Sequence, residues 1–104
     1  MIGSGSNEAA LIVEVSEKTL RLDQTKKLEI YAEHGIEDYW IVNLVHLRLE
    51  VYRRAVSKRI GKKTRFSYAD VKPYALDESV APLALPKVKI KVADLIPVRP
   101  SVAS

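Results

Sequence analysis

Two runs decide how this sequence folds: Leu11-Ile12-Val13-Glu14-Val15-Ser16 and Asp38-Tyr39-Trp40-Ile41-Val42-Asn43. Both are short, apolar and rich in β-branched or aromatic residues, so each reads as a strand, over residues 9–15 and 39–44 respectively. The 21 residues from Glu17 to Glu37 have the length of a crossover that contains a helix, which sets the two strands parallel in a β-α-β unit. The first strand is almost wholly apolar, the pattern of a parallel-sheet strand buried on both faces. Glu14 is its only charge and shares a face with Ile12 and Ala10, opposite Leu11, Val13 and Val15. An inward carboxylate costs on the order of several kcal/mol unless a cation meets it, so Glu14 requires a metal ion or an ammonium such as that of Lys27.

The crossover helix is predicted to start at Asp23, a good N-cap, and to end at Gly35, a good C′ residue. Leu28, Tyr31, Ala32 and Gly35 keep the spacing of a buried stripe. Lys27 lies on the flank of that stripe with Asp23 four residues before it and Tyr31 four after, where its stem can follow the core and its ammonium can reach the sheet edge. His34 lies on the same side, near the helix C-terminus, where its charged form suits the dipole.

Beyond the second strand, Asn43 to His46 reads as a turn that leaves His46 exposed. Leu47, Leu49 and Val51 alternate with Arg48, Glu50 and Tyr52 in an antiparallel strand with one solvated face. Residues 64–68 and 72–76 are further strand candidates, the second confined to an edge by Pro73. Leu83 to Val92 ends in polar/apolar alternation that puts Lys87, Lys89 and Lys91 toward solvent, and one helical turn is expected over 93–96, before Pro97. Residues 1–8 read as a flexible segment, 9–97 as one domain and 98–104 as an unstructured tail.

The 104 residues suffice for one core and one domain. No apolar run approaches the ~18 residues of a membrane span, and no secretion signal is visible, so a cytoplasmic location is expected. The absence of cysteine excludes disulfides, thiolate metal sites and cysteine nucleophiles. The net charge of +4 conceals a block from Arg53 to Arg65 with seven basic residues and no acid, which leaves −3 on the rest of the chain. Such a block suits either phosphate contacts or a solvated hairpin tip. There is no repeat, Gly-rich phosphate loop, zinc spacing or helix-turn-helix pattern. Tyr31, Tyr39 and Trp40 suit a core or a crevice wall.

Leu11-Ile12-Val13-Glu14-Val15-Ser16, Asp23-Gln24-Thr25-Lys26-Lys27-Leu28-Glu29-Ile30-Tyr31-Ala32-Glu33-His34-Gly35 and the following Asp38-Tyr39-Trp40-Ile41-Val42-Asn43 resemble the Uma family. This family of restriction-endonuclease-like proteins, abundant in cyanobacteria, falls within the PD-(D/E)XK nuclease superfamily. Leu49-Glu50-Val51-Tyr52-Arg53 and Ser79-Val80-Ala81-Pro82-Leu83-Ala84-Leu85-Pro86 extend the resemblance, which covers about residues 11–96. It implies an α/β restriction-endonuclease-like fold, a mixed sheet whose β-α-β crossover precedes antiparallel strands. It also implies Mg²⁺-dependent hydrolysis of DNA phosphodiesters, with Glu14 as the metal-binding strand carboxylate and Lys27 as the superfamily's lysine, carried on a helix. The family's proline-aspartate strand, which supplies the other metal carboxylate, belongs upstream of residue 9. The chain therefore reads as the C-terminal part of the nuclease fold, expected not to cleave DNA by itself, with an open sheet edge that suits a homo-oligomer or strand exchange. A non-catalytic nucleic-acid-binding or assembly module is the alternative.

Overall fold

The computed structural model describes residues 11–97; the segment before them and the tail from 98 lie outside the described residues. β1 (Ile12–Ser16), α1 (Leu20–Gln24), α2 (Lys26–Glu33) and β2 (Asp38–Asn43) form the β-α-β unit. β3 (Arg48–Ile60) and β4 (Lys63–Tyr74) follow as one long hairpin, then β5 (Ser79–Val80), β6 (Ile90–Lys91) and α3 (Val92–Leu95). The main sheet has the order β1-β2-β3-β4, with β1 and β2 parallel and the other pairs antiparallel, as the sequence implies. No helix among the described residues is long and apolar enough to cross a membrane.

The sheet is covered on both faces. On one, α1 and α2 pack over Tyr39, Ile41, Tyr52 and Tyr68, and the Tyr52 and Tyr68 rings stand 5.7 and 6.2 Å from that of Tyr39. On the other, Val80, Val92 and Ile96 close over Trp40, Val42, Leu49 and Val51. β3 is consequently buried at Leu49, Glu50, Val51 and Tyr52 in succession, where alternation had suggested a solvated face. The face that carries Glu50 and Tyr52 lies under α1 and α2, from which Gln24 reaches Glu50, while residues 80–96 cover the Leu49 and Val51 face; neither contact is displayed by a local pattern. β1 departs in the opposite sense: Val13 is 42% and Val15 56% exposed, so this strand is buried on its helix side only. The cause is placement, since the C-terminal cover lies over β2 and β3 and β1 forms the margin of the described sheet.

The helix begins earlier than its cap residues suggest and is broken. Thr25, at φ −124° and ψ −84°, separates α1 from α2, and Asp23 lies inside α1 rather than at an N-cap. The end agrees with the sequence. Gly35, at φ +75°, donates to Ala32 O while Ile36 N donates to Tyr31 O, which is a Schellman closure. The two strand candidates over 64–68 and 72–76 are one strand, β4, in which Pro73 is tolerated because β4 is the other sheet edge. Of the alternating 87–92 segment only Ile90–Lys91 pairs as a strand, although Lys87, Lys89 and Lys91 are exposed as expected.

Glu29 of α2 fixes the hairpin's base. Its carboxylate accepts from Arg65 Nε and a second guanidinium nitrogen at 2.7 and 2.9 Å and from Phe66 N at 3.1 Å. The Arg65 hydrogen bonds hold its carboxyl well below the usual 4.5, at about 2. A depressed carboxylate contributes stability above its unfolded pKa and loses it as pH falls through the folded one. Amide protection at Phe66 is therefore expected to drop as pH falls from 4.5 toward about 2, and in Glu29→Ala at neutral pH, measured by hydrogen exchange. Unchanged protection in that variant would show that Glu29 does not anchor the strand.

Candidate functional site

Glu14 points from β1 to the helix side of the sheet, in one register row with Ile41 and Glu50. The break at Thr25 turns α2 so that Lys27, in its first turn, comes between Glu14 and α1. The Lys27 ammonium stands 3.6 Å from Glu14 Oε1 and 3.2 Å from Asp23 Oδ1. The two residues singled out from the sequence thus meet on the same side of the sheet. One turn further along α2, the Tyr31 hydroxyl donates to Glu14 Oε2 at 2.8 Å and orients the carboxylate.

Asp23 is the member whose role the sequence alone suggests otherwise. It is 1% exposed; its Oδ2 accepts from the Thr19 hydroxyl at 3.1 Å, while Oδ1 meets the ammonium without a directed hydrogen bond. Its backbone carbonyl accepts from the Tyr39 hydroxyl at 2.9 Å, which ties the end of α1 to the sheet core. The i, i+4, i+8 spacing of Asp23, Lys27 and Tyr31 was the visible signal. Close contact with the Asp23 carboxylate first, and then the field of Glu14, raise the Lys27 pKa against the lowering effect of desolvation. Its ammonium therefore stays charged through and beyond neutral pH, and the stability that this charge contributes is lost only above 10.5. Burial first, and then the bond to Glu14, raise the Tyr31 pKa, which keeps the phenol a neutral donor.

At the other end of the Glu14 row, Glu50 is 4% exposed and fully engaged. Oε1 accepts from Gln24 Nε2 at 2.7 Å and Tyr52 Oη at 2.8 Å; Oε2 accepts from Asn43 Nδ2 at 2.8 Å and from Arg48 at 3.1 and 3.2 Å. Burial pushes its pKa up, but the hydrogen bonds outweigh burial and hold the carboxyl below its usual range. Asn43 also shapes the backbone, because its Oδ1 accepts from Val45 N and His46 N at 2.9 Å and so builds the β2–β3 turn. Glu50 is a structural carboxylate with no oxygen to spare, whereas Glu14 retains a quarter of its side-chain surface.

The donor chemistry at Glu14 fits a hard cation. Mg²⁺ takes oxygen ligands and is usually held by one or two carboxylates plus waters and substrate phosphate. Among the described residues no group of three or more His, Cys, Asp or Glu converges on a point; both Asp23 oxygens are engaged by Thr19 and Lys27, and Glu14, engaged by Lys27 and Tyr31, keeps a quarter of its side-chain surface open.

A parallel β-α-β start with an acid on its first strand and a lysine on its crossover helix, continued by antiparallel strands, defines a mixed α/β protein compatible with part of a restriction-endonuclease-like fold. The model of the Uma2 family, whose description is "putative restriction endonuclease", matches residues 5–93, and the chain belongs to that family. Comparison with curated proteins found no match, and neither did comparison with solved structures.

Proposed function

We propose that this chain carries the Glu14 and Lys27 half of a metal-dependent endodeoxyribonuclease site that hydrolyses DNA phosphodiesters. The observation that supports the reading is the Lys27 ammonium beside Glu14, an outcome of two separate periodicities, one on a strand and one on a helix. Glu14 would hold Mg²⁺, which when bound supplies Lewis-acid polarisation of the phosphate and a more acidic water. Lys27 orients the attacking water and offsets charge developing on the phosphoryl oxygens, a role that requires a protonated amine close to the reacting atoms. Tyr31 fixes the carboxylate by its hydroxyl, and Asp23 fixes the ammonium.

One partly open carboxylate is a weak metal site, so the 104 residues alone are expected not to nick supercoiled plasmid with Mg²⁺ or Mn²⁺. A product extended upstream through a proline-aspartate strand is expected to nick it, and to lose that activity in Glu14→Ala and in Lys27→Ala. Nicking by the extended product that survives both substitutions would overturn the proposal. DNA binding without nicking by either product would favour the non-catalytic module, the reading that the basic hairpin supports.

A further inference from the structure

Beyond Phe66 and Ala55 the β3–β4 hairpin leaves the body of the protein. Residues 56–65 are exposed without interruption, and the two strands remain paired to the turn at Gly61, which takes φ +63°. Three register pairs and the turn beyond them, at about 3.3 Å per residue, make an arm of ~10 Å. Along it Lys58 stands opposite Arg65 and Ile60 opposite Lys63. Lys58 and Arg65 are directly opposed like charges, which disfavours the pairing, and Glu29 neutralises only the Arg65 side.

The ion pairs do not neutralise this arm. Of the seven basic residues between 53 and 65, Arg53 pairs with Asp38 and Arg65 with Glu29. Arg54, Lys58, Arg59, Lys62 and Lys63 make no salt bridge among the described residues. Val56 and Ile60, 41% and 56% exposed, add apolar surface between the charges. A cationic rod two strands wide, with Val56 and Ile60 as apolar surface between its charges, matches one anionic surface well. The major groove of B-form DNA, about 12 Å wide and 8.5 Å deep, admits a two-stranded β-ribbon, is lined by phosphates and offers thymine methyls for apolar contact.

The geometry points to the β3–β4 arm as a duplex-DNA clamp that enters the major groove, a contact separate from the candidate nuclease site and well along β3 from the Glu14 row. α2 sets the angle between arm and site. Lys27 turns toward β1 and Glu29, two residues on, turns to Arg65, since positions i and i+2 do not share a helix face. One helix thus anchors both the Glu14 pair and the base of the arm. This deepens the nuclease reading and rests on it for its choice of DNA. RNA duplexes fit poorly, because their major groove is too deep and narrow for side chains to read.

Binding measured in EDTA separates this inference from cleavage, so either can fail alone. Fluorescence anisotropy with a labelled 20-base-pair DNA duplex should show affinity falling steeply with salt. The quadruple variant Lys58→Ala, Arg59→Ala, Lys62→Ala, Lys63→Ala lies wholly on the exposed arm, and its circular dichroism melt checks that the fold is intact. At about 0.9 per phosphate released, removing four contacts should flatten the log affinity against log salt slope by about 3.6. An unchanged slope and affinity would overturn the clamp. Equal affinity of the unaltered protein for an RNA duplex of the same sequence would overturn the groove assignment and make the arm a general polyanion contact.

Discussion

Glu50→Ala is expected to destabilise the fold by about 3–5 kcal/mol, because it leaves the donors of Gln24, Asn43 and Tyr52 without an acceptor at roughly 1–3 kcal/mol each. Two features of the Glu50 environment place the substitution in that range. The carboxylate is 4% exposed and receives Gln24, Asn43, Tyr52 and Arg48 together, so its loss leaves several donors without an acceptor where water cannot readily replace it. Asn43 is itself the residue that sets the β2–β3 turn, and a loosened Asn43 loosens the pairing of both strands. Glu50→Gln preserves shape and some acceptor capacity, and should cost distinctly less. Thermal melts decide the matter: for a domain of this size each kcal/mol shifts Tm by roughly 4–8 °C, so the alanine variant should melt at least ~12 °C lower. A shift of only a few degrees would mean that Glu50 contributes no more than an exposed residue.

Asp23→Asn is expected to slow DNA nicking by the extended product about 100-fold while leaving DNA affinity in EDTA nearly unchanged. Asparagine keeps the volume and the Thr19 bond but removes the charge that holds the Lys27 ammonium at 3.2 Å. Glu14, at 3.6 Å and more exposed, is then the remaining anchor. A displacement of about 1 Å in a positioned group can cost ~100-fold in rate, which is the scale expected here. Single-turnover rates separate this from binding, and a wild-type rate would show that Lys27 does not depend on Asp23. A uniform loss of rate and affinity would indicate damage to α1 instead.

How much of the molecule is legible in its sequence depends on the range of the physical interaction involved. The parallel β-α-β unit follows from a 21-residue spacing, and the helix end from one glycine, because both are local. Glu14 and Lys27 are legible because each belongs to a periodic element with one face already assigned. Asp23 is legible only in part: its spacing puts it on the Lys27 flank, but an acid before a helix reads as a cap, and the start of α1 at Leu20 is what buries it. Glu50 is hidden for a different reason. Alternation measures which residues share a face, not whether that face is covered, and the face of β3 that carries Glu50 lies under the helices. The exposure of Val13 and Val15 has the same origin, in reverse.

The position at which a divalent cation binds tests the assignment of the site most directly. Mn²⁺ titrated at low stoichiometry into ¹⁵N-labelled protein broadens amide resonances near its site, independently of any cleavage. Broadening is expected to centre on Glu14 of β1 and on the first turn of α2 around Lys27, and to be abolished in Glu14→Gln. Broadening centred elsewhere, or a pattern around Glu14 that survives Glu14→Gln, would contradict the assignment of Glu14 as the metal carboxylate.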